Sequence, residues 1–174
     1  SDDFNARALR PDWTLVDPLG DSEALLTGNE LVLRVASGAS HDLWTNALKA
    51  PQVLQPVADV DFQTVLKFES ASSKVYQMQG FVAKQDDRNF ARFDMLFAPA
   101  SGYPNGVLKI AGSAIVDGVG ELQLEALAPA GTTRYLRVTR SAATWTLEYS
   151  SDGTAWNSAG HFEMPLHIKQ VGPF

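Results

Sequence analysis

Nearly every segment of this chain is a short run of β-branched, aromatic or alternating residues, closed within about a dozen positions by Gly, Pro, Asn or Asp. Runs of this kind lie at 13–16, 22–26, 30–35, 52–57, 61–69, 74–84, 90–97, 106–114, 121–127, 134–140, 144–150 and 160–163. No window repeats apolar residues at i, i+3, i+4 and i+7 over three turns, and the one helix candidate, 41–48, is too short to stand alone. Many short strands with regular punctuation predict an all-β chain folded as a sandwich or a barrel.

The 174 residues suit one domain, 1–174, and 45% hydrophobic residues suffice for a core without a staple. A formal charge of -6 and no cluster of basic residues argue against nucleic acid, and no apolar stretch approaches the roughly 18 residues of a membrane span. Neutral ligands fit this balance best. Ser1-Asp2-Asp3-Phe4 lacks the basic start and apolar centre of a signal peptide, and zero cysteines leave the compartment open. Strand-like or apolar residues near both ends, Phe4 and Val171 to Phe174, lead us to expect one module of a longer polypeptide.

Three hairpins are predicted. Asp152-Gly153 separates the 144–150 run from Trp156, Thr27-Gly28-Asn29 separates two Leu-rich runs, and Asp86-Asp87-Arg88-Asn89 separates two longer ones. With four loop residues the last hairpin pairs Gln85 with Phe90, Ala83 with Arg92, Phe81 with Asp94 and Gln79 with Leu96. One face then collects Met78, Gly80, Val82, Ala91, Phe93 and Met95 for the core. The other collects Gln77, Gln79, Phe81, Ala83, Phe90, Arg92 and Asp94. Aromatic rings among amides and an Arg/Asp pair are the chemistry that holds a sugar, through ring faces on C–H surfaces and bidentate groups on hydroxyls. A solvated sheet face with an incidental ion pair is the competing reading.

His41-Asp42-Leu43-Trp44 places an imidazole, a carboxylate and an indole in a loop, where binding groups tend to sit. Equally, Trp44 would plug the edge of a core while His41 caps the loop. Trp13, Trp145 and Trp156 are expected in core or hairpin packing.

No catalytic constellation assembles. Glu121 and Glu125, if on one strand face, stand about 13 Å apart at ~3.3 Å per residue, beyond glycosidase spacing. Asp59 and Asp61 are close enough but lie where a strand begins, where turn roles dominate. There is no nucleophile elbow, Walker loop or His-Glu-x-x-His, and His41, His161 and His167 lack metal-ligand spacing. No cofactor is expected. A structural calcium on Asp2-Asp3 or Asp86-Asp87 stays open as an alternative to plain Asp-rich turns.

Ser1-Asp2-Asp3-Phe4-Asn5, Pro11-Asp12-Trp13, His41-Asp42-Leu43-Trp44, the Gln79-Gly80-Phe81 to Arg92-Phe93-Asp94 hairpin, Tyr135-Leu136-Arg137-Val138 and the Ser-Asp-Gly to Trp156 turn together resemble concanavalin A-like lectin/glucanase domains. Within these, the chain is most similar to the branch found beside bacterial β-xylosidases and in large extracellular proteins. The resemblance implies an antiparallel two-sheet jelly-roll sandwich with a concave face, an extracellular or cell-surface location, and carbohydrate binding. It departs from the glucanases where their Glu-x-Asp-x-Glu signature would stand, since Glu121-Leu122-Gln123-Leu124-Glu125 lacks the middle acid.

The expectation is therefore a non-catalytic, lectin-like module with a glycan and neighbouring domains as partners. Trp44, Phe81 and Phe90 would supply ring surfaces, Gln77, Gln79, Arg92 and Asp94 polar contacts, and His41 a rim contact. A structural or adhesive spacer is the alternative, and a hydrolase using Asp59 and Asp61 a weaker one.

Overall fold

The structure, a computed structural model, describes residues 2–129 and 131–174. In chain order the strands are β1 (Thr14–Val16), β2 (Ser22–Leu26), β3 (Leu31–Val35), β4 (Leu43–Trp44), β5 (Ala47–Leu48), β6 (Gln52–Pro56), β7 (Phe62–Lys67) and β8 (Met78–Lys84). There follow β9 (Phe90–Ala100), β10 (Tyr103–Val116), β11 (Val119–Ala128), β12 (Tyr135–Ser141), β13 (Thr144–Ser150), β14 (Asn157–Glu163) and β15 (Gln170–Pro173). The fold is all-β, as the punctuated runs predict. No helix among the described residues is long and apolar enough to cross a membrane.

Seven strands form one sheet in the order β1-β6-β15-β8-β9-β10-β11, and four form a second, β14-β13-β12-β7. All registered pairs are antiparallel. The sheets face each other across a core whose centre is aromatic: Phe62, Phe81, Phe93, Trp145 and Phe162 meet at centroid distances of 5.4–6.4 Å. Each fully buried ring of this size contributes about 1.5–3 kcal/mol by leaving water. Trp145 thus sits in the core as expected, its Nε1 donating to the Met164 carbonyl at 3.0 Å.

A second, smaller apolar cluster lies on the opposite, outer face of the larger sheet. There Leu54, Val82, Phe90 and Ile115 pack under Leu43 and Leu48. The covering element is the β4–β5 hairpin, which occupies the 41–48 segment considered above as a helix candidate. Asn46 at φ 54 turns the chain back after only two residues of strand.

The Thr27-Gly28-Asn29 and Asp152-Gly153 turns form the predicted hairpins β2–β3 and β13–β14. The β8–β9 hairpin forms too, but its register corrects the expectation by one residue. Lys84 opposes Phe90 and Val82 opposes Arg92, so residues 85–89 make the loop. The cause is local: Asp86 Oδ1 accepts from the amides of Arg88 and Asn89, and Gln85 N donates to the Asn89 carbonyl at 3.0 Å. Gln85 is thereby drawn out of the ladder into the loop.

Candidate functional site

The shifted register splits the predicted mixed face in two. Phe81 and Ala83 face the inter-sheet core with Ala91, Phe93 and Met95, whereas Met78, Gly80, Val82 and Lys84 share the outer face with Phe90, Arg92 and Asp94. Phe81 and Phe90 are buried in separate clusters, so neither offers a ring to a ligand. Gln77 is spent on a turn, its Oε1 accepting from the amides of Ser73 and Lys74. Gln79 is tied to Ser70 through both ends of its amide. The rim role expected of His41 is also corrected: its Nε2 lies 2.9 Å from Asp21 Oδ1, which anchors the loop to the start of β2.

Arg92 and Asp94 do lie on the outer face, but they are buried rather than solvated, at 5% and 0% exposure. The β4–β5 hairpin accounts for the cover on Arg92. Its Nη1 donates to the Leu43 carbonyl at 2.6 Å, and its guanidinium carbon stands 4.9 Å from the centre of the Trp44 ring. A Cβ at Gly120 would stand 3.1 Å from both Cδ2 and Cε2 of Trp44, so the indole lies flat over a glycine that makes room for it. Gly120 N also donates to Thr45 Oγ1 at 2.8 Å, fastening the hairpin to β11.

Half-buried Trp44 walls a cleft of about 280 Å³ with Asn46, Leu48, Asp87, Arg88, Ile115 and Gly118. Three turns build it. The β4–β5 turn supplies Asn46 and the β8–β9 loop supplies Asp87 and Arg88. The Asp117-Gly118 turn between β10 and β11, both residues at positive φ, accepts an Arg88 hydrogen bond at the Asp117 carbonyl and one from Asn46 N at Gly118 O. Of the residues expected to bind a glycan, Trp44 alone lines this cleft. Asp87 was considered only as a calcium ligand and Arg88 only as a turn residue, and Asn46 was missed, although the Asp-Gly dipeptide at 117–118 signals the turn that gathers them.

A wider, shallower cleft of about 470 Å³ is lined by Asp59, Gln85, Arg140, Pro165 and His167 among others. Its polar groups satisfy one another: Asp59 accepts from Arg140 Nη1 at 2.6 Å and from Ile168 N at 3.1 Å, with His167 Nδ1 at 2.6 Å. The Arg140 hydrogen bond, first among several, holds the Asp59 carboxyl below its ordinary value. Asp61 accepts from Ala142 N at 2.7 Å. Both acids therefore lash the β6–β7 connection to neighbouring turns, the structural role the turn reading gave them. A bulge between Gly112 and Ser113 also places Glu121 opposite Ala114 and Glu125 opposite Ala111, on different sheet faces rather than on one.

Among the described residues no group of three or more His, Asp or Glu side chains could hold a metal ion. The acidic pairs considered for calcium are engaged locally. Asp2 accepts from Phe4 N and Trp13 Nε1, Asp86 from its own turn, and Asp87 faces Lys84 Nζ at 2.7 Å.

Two antiparallel sheets, one face covered by the other and one left to a hairpin and its cleft, define a concanavalin A-like sandwich. Residues 1–171 match the model of the β-xylosidase C-terminal concanavalin A-like domain, and the chain belongs to this family. Solved structures agree on the fold. The GH43 protein BlXynB of Bacillus licheniformis superposes with a TM-score of 0.76 at 20% identity, covering 99% of this chain and 34% of that one. Xylan β-1,4-xylosidase of Bacillus halodurans C-125 gives 0.69 at 19% identity with the same coverages. The CBM2 module of the evolved Dit of Lactobacillus casei BL23 phage J-1 gives 0.59 at 13% identity, covering 99% of this chain and 84% of that one. This chain spans about a third of the length of the two bacillary proteins. No curated protein matches it.

Proposed function

We propose that this domain is a non-catalytic, glycan-binding accessory module that works beside a glycoside hydrolase domain outside the cell, and that it holds one sugar ring of a neutral oligosaccharide in the Trp44 cleft. The observation that carries this reading is the composition of the cleft: an indole wall, with an amide, a carboxylate and a guanidinium in Asn46, Asp87 and Arg88 around it. An indole offers its face to sugar C–H groups, and the planar polar groups pair with hydroxyls. The volume lies at the small end of ligand sites, the scale of a monosaccharide ring rather than a long chain. Family membership beside β-xylosidases supports a carbohydrate-associated role. A net charge of -6 disfavours an anionic glycan.

Calorimetric titration of this chain with xylotriose, cellotriose and maltotriose tests the reading. Binding of at least one is expected, weakened about ten-fold in Arg88→Ala, the loss of one hydrogen bond to a charged group. Absence of binding across the three sugars would defeat it.

A second reading, a spacer that packs against neighbouring domains, is favoured by exposed apolar side chains on the edge strand β11, namely Val119, Leu122 and Leu127. Failure of sugar binding, together with tighter packing of this strand in the longer protein, is the outcome that would select it.

A further inference from the structure

We propose that Arg92, Asp94 and Ser113 form a deeper hydroxyl-binding subsite on the outer sheet face, reached when the β4–β5 hairpin lifts Trp44, and that it takes a vicinal diol of a neutral sugar. The proposal rests on the glycan-binding reading and extends the Trp44 cleft inward.

Register places the three side chains together. Arg92 opposes Ser113 and Asp94 opposes Ala111 on adjacent strands, all on one face. Strands in a sheet lie about 4.8 Å apart, so these polar ends share one small volume. Two small residues flank the carboxylate across the ladder, Gly80 on β8 and Ala111 on β10. A Cβ at Gly80 would stand 2.1 Å from the Phe93 carbonyl oxygen and 2.8 Å from Asp94 Cβ, so only glycine fits beside the acid on β8.

The cluster is buried and short of partners. Asp94 and Ser113 are wholly buried, yet both Asp94 oxygens, Ser113 Oγ and Arg92 Nε make no hydrogen bond. Arg92 Nε stands 2.8 Å from Asp94 Oδ2, close enough for charge attraction but without hydrogen-bond alignment. Buried unsatisfied groups weaken a fold, and an apolar pair of similar volume would serve the fold at least as well. Arg92 anchors the β4–β5 hairpin, but stability gives no reason for the unpartnered Asp94 Oδ1 and Ser113 Oγ.

Its chemistry does match a ligand. Two carboxylate oxygens accept from two adjacent hydroxyls, while the guanidinium Nε and the serine hydroxyl donate to the same hydroxyl oxygens. An anion would meet Asp94 and a cation would meet Arg92, which leaves a neutral polyol. The cover over Arg92 is a ladder of two residue pairs, Leu43 with Leu48 and Trp44 with Ala47, pinned by buried Leu43, by Arg92 and by the Thr45 and Asn46 hydrogen bonds. Lifting it breaks these contacts and leaves the ladders of the sheet beneath intact.

The test is calorimetric titration with xylotriose and cellotriose of the wild-type chain, Ser113→Ala, Asp94→Asn and Arg88→Ala. Alongside it, the Asp94 carboxyl carbon is followed by NMR in the wild type. The expected result is binding at least ten-fold weaker in Ser113→Ala and Asp94→Asn, with the Asp94 carbon shifting on saturation. If Asp94→Asn does not fold, Ser113→Ala and the wild-type NMR signal decide. Affinity within two-fold in Ser113→Ala and an unmoved Asp94 carbon, with binding still about ten-fold weaker in Arg88→Ala, would overturn the deeper subsite and leave the cleft standing. No binding by the wild type would overturn both.

Discussion

Trp44 is stacked on Arg92, its ring centre 4.9 Å from the guanidinium carbon, and the preceding carbonyl of Leu43 accepts from the same guanidinium at 2.6 Å. One buried arginine thus holds down a hairpin whose two strands are only two residues long each. Further ties are Thr45 to Gly120, Asn46 N to the Gly118 carbonyl and the packing of Leu43 and Leu48 on the outer apolar cluster. Trp44→Ala removes the stack and half-buried ring surface, and is expected to cost about 2 kcal/mol in urea unfolding. Faster amide exchange confined to 43–48 and the strands beneath is the accompanying signature. Uniform exchange across both sheets would contradict hairpin-local loosening.

Gly120→Ala tests the same contact from below. The added methyl would press on the indole at Cδ2 and Cε2 and on Thr45 Oγ1, each at 3.1 Å, tight enough to tilt the ring. A loss of about 1–2 kcal/mol with a shift in Trp44 fluorescence is expected. Gly80→Ala differs in kind, because its Cβ would meet the Phe93 carbonyl oxygen, a backbone atom, at 2.1 Å. That variant is expected to lose about 3 kcal/mol, at the upper end of overpacking, and a near-neutral outcome would mean β8 and β9 are less closely apposed.

The Arg92–Asp94 pair separates stability from binding. Asp94→Leu alone leaves a buried guanidinium without its counter-charge and is expected to cost about 3–5 kcal/mol. Adding Arg92→Met to Asp94→Leu is expected to recover most of that loss in denaturant midpoint while abolishing sugar binding. Equal instability of the single and double variants would show that the pair's net contribution lies in packing, not charge.

The strands were legible in the sequence because their alternation and punctuation are local. Of the short runs, those at 22–26 and 144–150 coincide with β2 and β13 residue for residue. What escaped was decided by tertiary context. β4 and β5 are too short to show a period, and β15, with a glycine and a proline, showed only strand-like or apolar residues at 171–174 and no pairing partner. The β8–β9 register turned on one residue, Gln85, whose place in the loop is set by hydrogen bonds made by Asp86 and Asn89 that composition does not announce. That single step sent Phe81 into the core. Arg92 and Asp94 kept the face they share, but the cover on Arg92 comes from a hairpin some fifty residues away in sequence, beyond any local pattern. Trp44 was legible as a loop aromatic, whereas Asn46, Asp87 and Arg88 came to line one cleft only once three turns converged.

Stability should depend on pH through two opposed sets of carboxyls. Asp59 is held below its unfolded value of 3.8 by Arg140, then by the Ile168 amide and His167. A lowered group contributes stability that is complete above the unfolded value and is lost as pH falls through the folded one, so this contribution fades below about pH 4. Asp2, Asp17, Asp86 and Asp152 act in the same direction, each chiefly through backbone amides of its own turn. Asp94 acts the other way. Burial raises it above 3.8, offset in part by Arg92, so its contribution is complete below that value and is lost as pH rises through the folded one. Urea unfolding across about pH 2.5 to 7 is expected to show a steep acid limb that Asp59→Asn flattens. Asp94→Asn is expected to leave that limb intact and to remove the decline on the less acidic side. An acid limb unchanged in Asp59→Asn would mean that the Arg140 and His167 contacts are already loose in the folded chain, and a slope unchanged in Asp94→Asn would mean that its carboxyl reaches water.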